Sequence, residues 1–192
     1  MSDLGNGLPP PQRLAIAYTP SAIRNAFALL LELDGKFRDI VANSSEILIG
    51  QMKFAWWRES IMTAPGHGPT GEPLLMRLGE LPTYDIRSEL ELLLTAWEEL
   101  LLAERDFDAP ARFAHHRGMA VFDGYTRLIG YNYDVQNLGA EWALADLNGA
   151  PNRRADATQL PRQRALRPLT ILTLSVRNVT GPRLIWHALT GL

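Results

Sequence analysis

Apolar positions along this chain recur at helical spacing, and the longest coherent run lies at 20–61. Ala22, Ile23, Ala26, Phe27, Leu30, Leu31, Leu33, Phe37, Ile40 and Val41 follow the period of one helix face. Pro20 suits a first turn, where its missing N–H would have no partner in any case. Asn43, Ser44 and Ser45 then interrupt the pattern, and each offers an acceptor to the free N–H groups that open a new helix. That second helix carries Ile47, Leu48, Met52, Phe54, Ala55, Trp57 and Ile61. Trp56 and Trp57 are adjacent and point in different directions, so at least one faces the interior or a partner.

The rest of the chain builds on this pair. Residues 1–11 read as a flexible tail with a stiff Pro9-Pro10-Pro11 end, and 12–18 as a short helix. The Gly/Pro-rich stretch 64–73 is a loop, followed by a short helix over 74–81 that Pro82 stops. The spacing predicts an amphipathic helix over 83–103, capped by Thr83 or Asp85. Ile86, Leu90, Leu93, Leu94, Trp97, Leu100 and Leu101 form its stripe, and Glu89, Glu91, Glu98, Glu99 and Glu104 much of its solvated face. Further helices are predicted over 108–129, 135–147, 164–179 and 183–189, with a break at Asn148-Gly149-Ala150-Pro151 and a polar loop to Pro161. No strand-like alternation exceeds four residues and no repeat occurs. The prediction is one all-α domain over 12–192, a bundle of about eight helices with a buried centre.

Composition narrows the function classes. Apolar residues are 46% and charged residues 21% of 192, an ordinary globular balance. The net charge of −2 gives no reason to expect nucleic acid binding. With no cysteine, disulfides, Fe–S ligation and thiolate zinc sites are excluded. The start, MSDLGNGLPPPQRL, lacks the apolar run of a signal peptide, and no window is apolar enough to span a membrane. The expectation is a cytoplasmic protein, with peripheral contact at the inner membrane left open.

An Arg (Arg24) before a small and apolar run, then RDIV at 38–41, then a second helix ending in WWRES resembles the squalene/phytoene synthase family, over roughly 14–160. The resemblance implies an isoprenoid-synthase-type helical fold around a central cavity. Catalytic members carry an Asp-rich box in the first helix. The matching residues here are Arg38, Asp39, Ile40, Val41 and Ala42, so the outer two acids are replaced. Carboxylates at i and i+4 share a helix face and can hold Mg²⁺ against a diphosphate. Arg38 puts a cation where an anion is needed, and Ala42 offers no ligand. The second acidic box of the family falls at 138–161. Gly139, Leu144, Leu160 and Pro161 fit there, but Ala143, Gly149, Ala150 and Arg154 stand at its polar positions. Glu141 and Asp146 remain nearby, five apart and poorly placed for one ion. Both metal arms are therefore expected to be lost, with no cofactor, and Mg²⁺ only if the protein is an active synthase.

Other candidates are weighed against plain structural roles. Glu32–Lys36 and Asp34–Arg38 have the spacing and order of surface ion pairs. Arg24, Asp39, Arg58, Glu141 and Asp146 are the residual cavity candidates, and Arg24 and Arg58 serve equally as interior ion-pair residues. Arg153, Arg154, Arg162 and Arg164, with Arg167 beside them, can bind an anion such as a diphosphate, an acidic partner or anionic lipid, or can form a solvated helix start. His115 and His116 point apart, while His67 and His187 are isolated, so no zinc spacing exists. Trp97, Trp142 and Trp186 sit on apolar faces and read as core. No phosphate-loop, dinucleotide or nucleophile-elbow motif occurs.

A short branch of the family, similar in the first 60 residues and in the closing PRLIWHALTGL, resembles the respiratory complex I assembly factor. That implies a non-catalytic, synthase-like accessory protein acting on a protein partner or membrane complex, with a prenyl or lipid-like ligand in reach. The competing expectations are an active head-to-head prenyltransferase and a stabilising subunit of a true synthase. The chain is short for a full synthase, which carries further C-terminal helices.

Overall fold

The computed structural model describes residues 5–63, 71–81, 85–104, 106–149 and 160–177, together with Pro182 and Trp186. No strand occurs among the described residues, so the all-α prediction holds there. The order is α1 (Pro10–Tyr18), α2 (Ser21–Asn43), α3 (Ile47–Met62), α4 (Pro73–Gly79), α5 (Arg87–Leu101), α6 (Ala109–Gly118), α7 (Gly124–Leu128), α8 (Gln136–Asn148) and α9 (Arg167–Ser175). A π-helical turn, Met119–Asp123, joins α6 to α7 without a break, and a 3-10 turn, Arg164–Leu166, leads into α9.

The hub is α2. Each residue of Ala26, Phe27, Ala28, Leu29, Leu30 and Leu31 is at most 1% exposed, so the middle of this helix is covered on every side. Helices α1, α3, α4 and α5 pack on it. A helix apolar all round belongs in the interior, and α2 behaves that way in its centre although its ends are polar. Alongside it, α3 and α5 run in opposite directions: Arg58 reaches Glu91 and Glu98, and Arg87 Nε donates to Ile61 O at 3.0 Å. On the far side α6 and α8 approach backbone to backbone. A Cβ added to Gly118 would lie 2.4 Å from the carbonyl carbon of Gly139. The break after α8 is set by Gly149, whose φ of +60° is a left-handed cap that favours glycine.

Several expectations shift. The Gly5 N–H donates to Glu32 Oε1 at 2.7 Å, and the triple proline opens α1, since a proline early in a helix forfeits no bond. Asn43 and Ser44 do not cap α3. They close the end of α2, where Ser44 Oγ donates to Ile40 O at 2.6 Å and Asn43 Nδ2 to Asp39 O at 2.9 Å. The fifth helix starts at Arg87 rather than 83, with Asp85 Oδ1 accepting from the Arg87 N–H. Trp186 is 63% exposed rather than part of the core. The helix expected at 183–189, apart from Trp186, and His67, His187 and Thr83, lie outside the described residues.

Candidate functional site

The polar centre of the molecule lies where α2, α5, α6 and α8 meet. Asp34 is 1% exposed and Arg117, on α6, is fully buried. Arg117 Nε and Nη2 donate to Asp34 at 2.9 and 2.7 Å, and its Nη1 donates to Ala143 O at 3.3 Å. Trp97 Nε1, on α5, donates to Asp34 Oδ1 at 2.8 Å. Arg117 also lies 2.7 Å from Asp146 Oδ2 on α8, and Arg38 on α2 pairs with the same carboxylate. The Arg117 guanidinium lies over the rings of Trp142 at 4.2 Å, Trp97 at 5.3 Å and Phe113 at 5.7 Å. Two carboxylates and two guanidiniums thus form a neutral, cross-braced cluster. Burial works against the charge on Arg117, but Asp34 and Asp146 overcome it and raise its pKa.

This corrects the reading of Glu32 and Asp34 as surface acids paired along their own helix. Asp34 turns inward, and Glu32 pairs with Arg77 of α4 and receives the Gly5 N–H. The signal for Asp34 was present: it stands three, four and seven residues after Leu31, Leu30 and Phe27, on the apolar face. Arg117 had the same signal, four and three residues after Phe113 and Ala114. A charge on an apolar stripe of two different helices points to a buried pair.

Of the residual candidates, only Asp146 joins this cluster. Asp39 is exposed on the outer side of α2. Arg24 holds the α1–α2 elbow by donating twice to Thr19 O, at 2.9 and 3.1 Å. Arg58 bridges Glu91 and Glu98, both at 2.8 Å, as a partly exposed interhelical tie. Glu141 is taken by Arg177 through two bonds of 2.7 Å. Arg162 and Arg164 are exposed, whereas Arg153 and Arg154 lie outside the described residues. Among the described residues no cluster of three or more His, Asp or Glu is placed to hold a metal. The cluster itself does not fit Mg²⁺ as built: both oxygens of Asp34 accept from Trp97 or Arg117, and Arg38 and Arg117 stand against Asp146.

A second feature lies on the outer side of α2. Its exposed Lys36 and Asp39 form one wall of an open groove of about 590 Å³. The other wall is α3, with Ile49, Met52, Lys53 and Trp56. Helix α3 buries Phe54, Trp57 and Ile61 yet leaves Met52 66% and Trp56 41% exposed. Trp57 stands edge-on to Trp56, with centroids 5.1 Å apart, and fixes the outer ring. A smaller cavity of about 400 Å³ under the Gly7–Leu8–Pro9 segment shares Lys36 and Asp39 with it.

One half-buried acid stands apart from both features. Asp123, on the π-helical turn, has a buried Oδ2 with no hydrogen-bond partner among the described residues. Burial pushes its carboxyl up, Asp134 adds to the shift and His115 opposes it. A raised folded-state pKa means that folding favours the protonated form, so stability is lost as pH rises through that pKa. Asp123→Asn should therefore raise Tm at pH 7, and the gain should shrink as pH falls below about 4, where the carboxyl is protonated in the unfolded chain too. Thermal melts at both pH values check this.

No family model, curated protein or solved structure matches this chain. No helix of the described residues is long and apolar enough to cross a membrane.

Proposed function

We propose that the protein is a non-catalytic relative of the squalene/phytoene synthases, with an isoprenoid-synthase-type bundle that works by binding. In this reading it is an assembly or accessory factor that engages a protein partner at a membrane complex, of the respiratory complex I type, and takes a lipid-like ligand. The observation that carries the reading is the ion pair between Arg38 on α2 and Asp146 on α8. Those residues lie where the resemblance sets the two metal-binding arms. A synthase needs anions on both walls, with divalent ions between them to draw off the diphosphate leaving group. A guanidinium fixed to one wall and paired with the other fills that role with a permanent cation. It cannot exchange, and it offers no coordination site. The cluster is charge-neutral without any added ion, so a magnesium diphosphate gains little by entering it. The open apolar side chains of α3 favour a binding surface.

Purified protein incubated with Mg²⁺ and farnesyl or geranylgeranyl diphosphate should release no pyrophosphate and form no hydrocarbon. Calorimetry of Mg²⁺ with a diphosphate analogue should give no metal-dependent heat. Product in the first assay would establish the alternative, head-to-head transfer between two prenyl diphosphates.

A further inference from the structure

We infer that the groove between α2 and α3 is a binding site for a single-chain amphiphile with an anionic head, a carboxylate or phosphate, which Lys36 and Lys53 hold while Ile49, Met52 and Trp56 take the chain. The inference rests on the binding role proposed above and names its ligand and its site.

The chain has seventeen arginines and two lysines, and both lysines line this one groove. The arginines make the structural ties: ten of the eleven side-chain ion pairs among the described residues use one, the other using His116, and none uses a lysine. Lys36 loses one of its two helical neighbours among the acids because Glu32 is held by Arg77 and the Gly5 N–H, which leaves Asp39 three residues on. Two ammonium groups on long flexible stems are thus left over an apolar floor. A lysine serves there as a mobile point charge, able to follow an anionic head without a fixed geometry. One acid, Asp39, shares the wall, so the groove is net positive by one charge.

The apolar part needs its own explanation. Helix α3 is apolar on its outer as well as its inner face, and an exposed Met52 and Trp56 beside Ile49 keep apolar surface in contact with water. Trp56 is braced by Trp57, so this wall is largely formed before anything binds. A volume of about 590 Å³ lies within the range of small-molecule sites. An inorganic anion would leave the apolar wall wet, and a neutral lipid would leave the lysines unanswered. An amphiphile with an anionic head satisfies both.

The test is a calorimetric titration of the full chain with oleate and with lysophosphatidate, each below its aggregation concentration. Monoolein serves as the neutral analogue and glycerol 3-phosphate as the head without a chain. Both anionic amphiphiles should bind, monoolein about tenfold more weakly, and glycerol 3-phosphate without measurable heat. The double variant Lys36→Gln/Lys53→Gln should weaken oleate binding by about tenfold or more, since each head-group bond is charge-assisted. Asp39→Asn should tighten it several-fold. All three side chains are exposed, so thermal melts of the variants should match the parent. Equal affinity for oleate in parent and double variant would overturn the proposal, as would equal affinity for oleate and monoolein. Flotation with anionic phosphatidylglycerol vesicles in the absence of monomer binding would also overturn it, in favour of a membrane surface. Prenyl turnover by the same preparation would strike the non-catalytic reading and leave the titration standing; a flat titration without turnover strikes the groove alone.

Discussion

Arg117→Met should destabilise the protein by about 3–5 kcal/mol, the cost of breaking a buried ion pair by removing one partner. Typical domains have only about 5–15 kcal/mol in total, so the variant sits near the edge of folding. The loss comes from what is left behind. Asp34 remains 1% exposed with only the Trp97 N–H as donor, and Asp146 keeps only Arg38. Methionine matches the length of the aliphatic stem and still packs among Trp97, Phe113 and Trp142, so the lost volume is small and the charge effect dominates. Urea denaturation gives the number. A second variant separates charge from packing: Asp34→Asn added to Arg117→Met should recover part of the loss, because the stranded carboxylate is gone. A strong coupling term in that double-mutant cycle is expected. A cost below about 1 kcal/mol for Arg117→Met would mean that the cluster is braced elsewhere. Arg117 is also one of the two guanidiniums that stand against Asp146.

Gly118→Ala is the second large effect. Alanine in a helix is ordinarily favourable over glycine by about 1 kcal/mol. Here its Cβ would meet Gly139 carbonyl carbon at 2.4 Å and Ala140 N at 2.6 Å. Both are backbone, so no rotamer change relieves the clash and α6 must move away from α8. That separation would also pull Arg117, the neighbouring residue, from Ala143 O and Asp146. The overpacking cost of about 1–3 kcal/mol should outweigh the helix-propensity gain. For a chain of this length each kcal/mol lowers Tm by about 2–4 °C. Gly7→Ala is the control: nothing lies within 4 Å of its added Cβ, and its Tm should stay within about 2 °C of the parent. An unchanged melt for Gly118→Ala would show that the two helices slide apart freely.

The all-α class and most helix positions were legible because they depend on local spacing. Leu93, Leu94 and Trp97 stand on the buried face of α5 as the period requires, and the Asn148-Gly149 break falls at a left-handed residue. Helix ends were less legible. Ser44 and Asn43 can bond forward to a new helix or back to an old one, and nothing local chooses between them. The polar centre was the least legible. Glu32–Lys36 and Asp34–Arg38 have ideal spacing for ion pairs along α2, and spacing within one helix says nothing of Arg77 or Arg117 on others. The candidates Arg24, Arg58 and Glu141 proved to be ties between neighbouring segments, which their residue type allows as readily as a ligand role.

What the sequence determined by itself is the helical class, the buried faces and the two lysines on consecutive helices, since periodicity and composition are properties of neighbours in the chain. The tertiary structure alone decided which charges meet. Arg38 and Asp146 are 108 residues apart, and Arg117 and Asp34 are 83. Only the packing of α2, α5, α6 and α8 brings them within hydrogen-bonding distance. The Arg117–Asp34 pairing is governed by the low dielectric of that interior, where an unmatched charge is too costly to leave alone, while Arg38 meets Asp146 at its partly exposed edge.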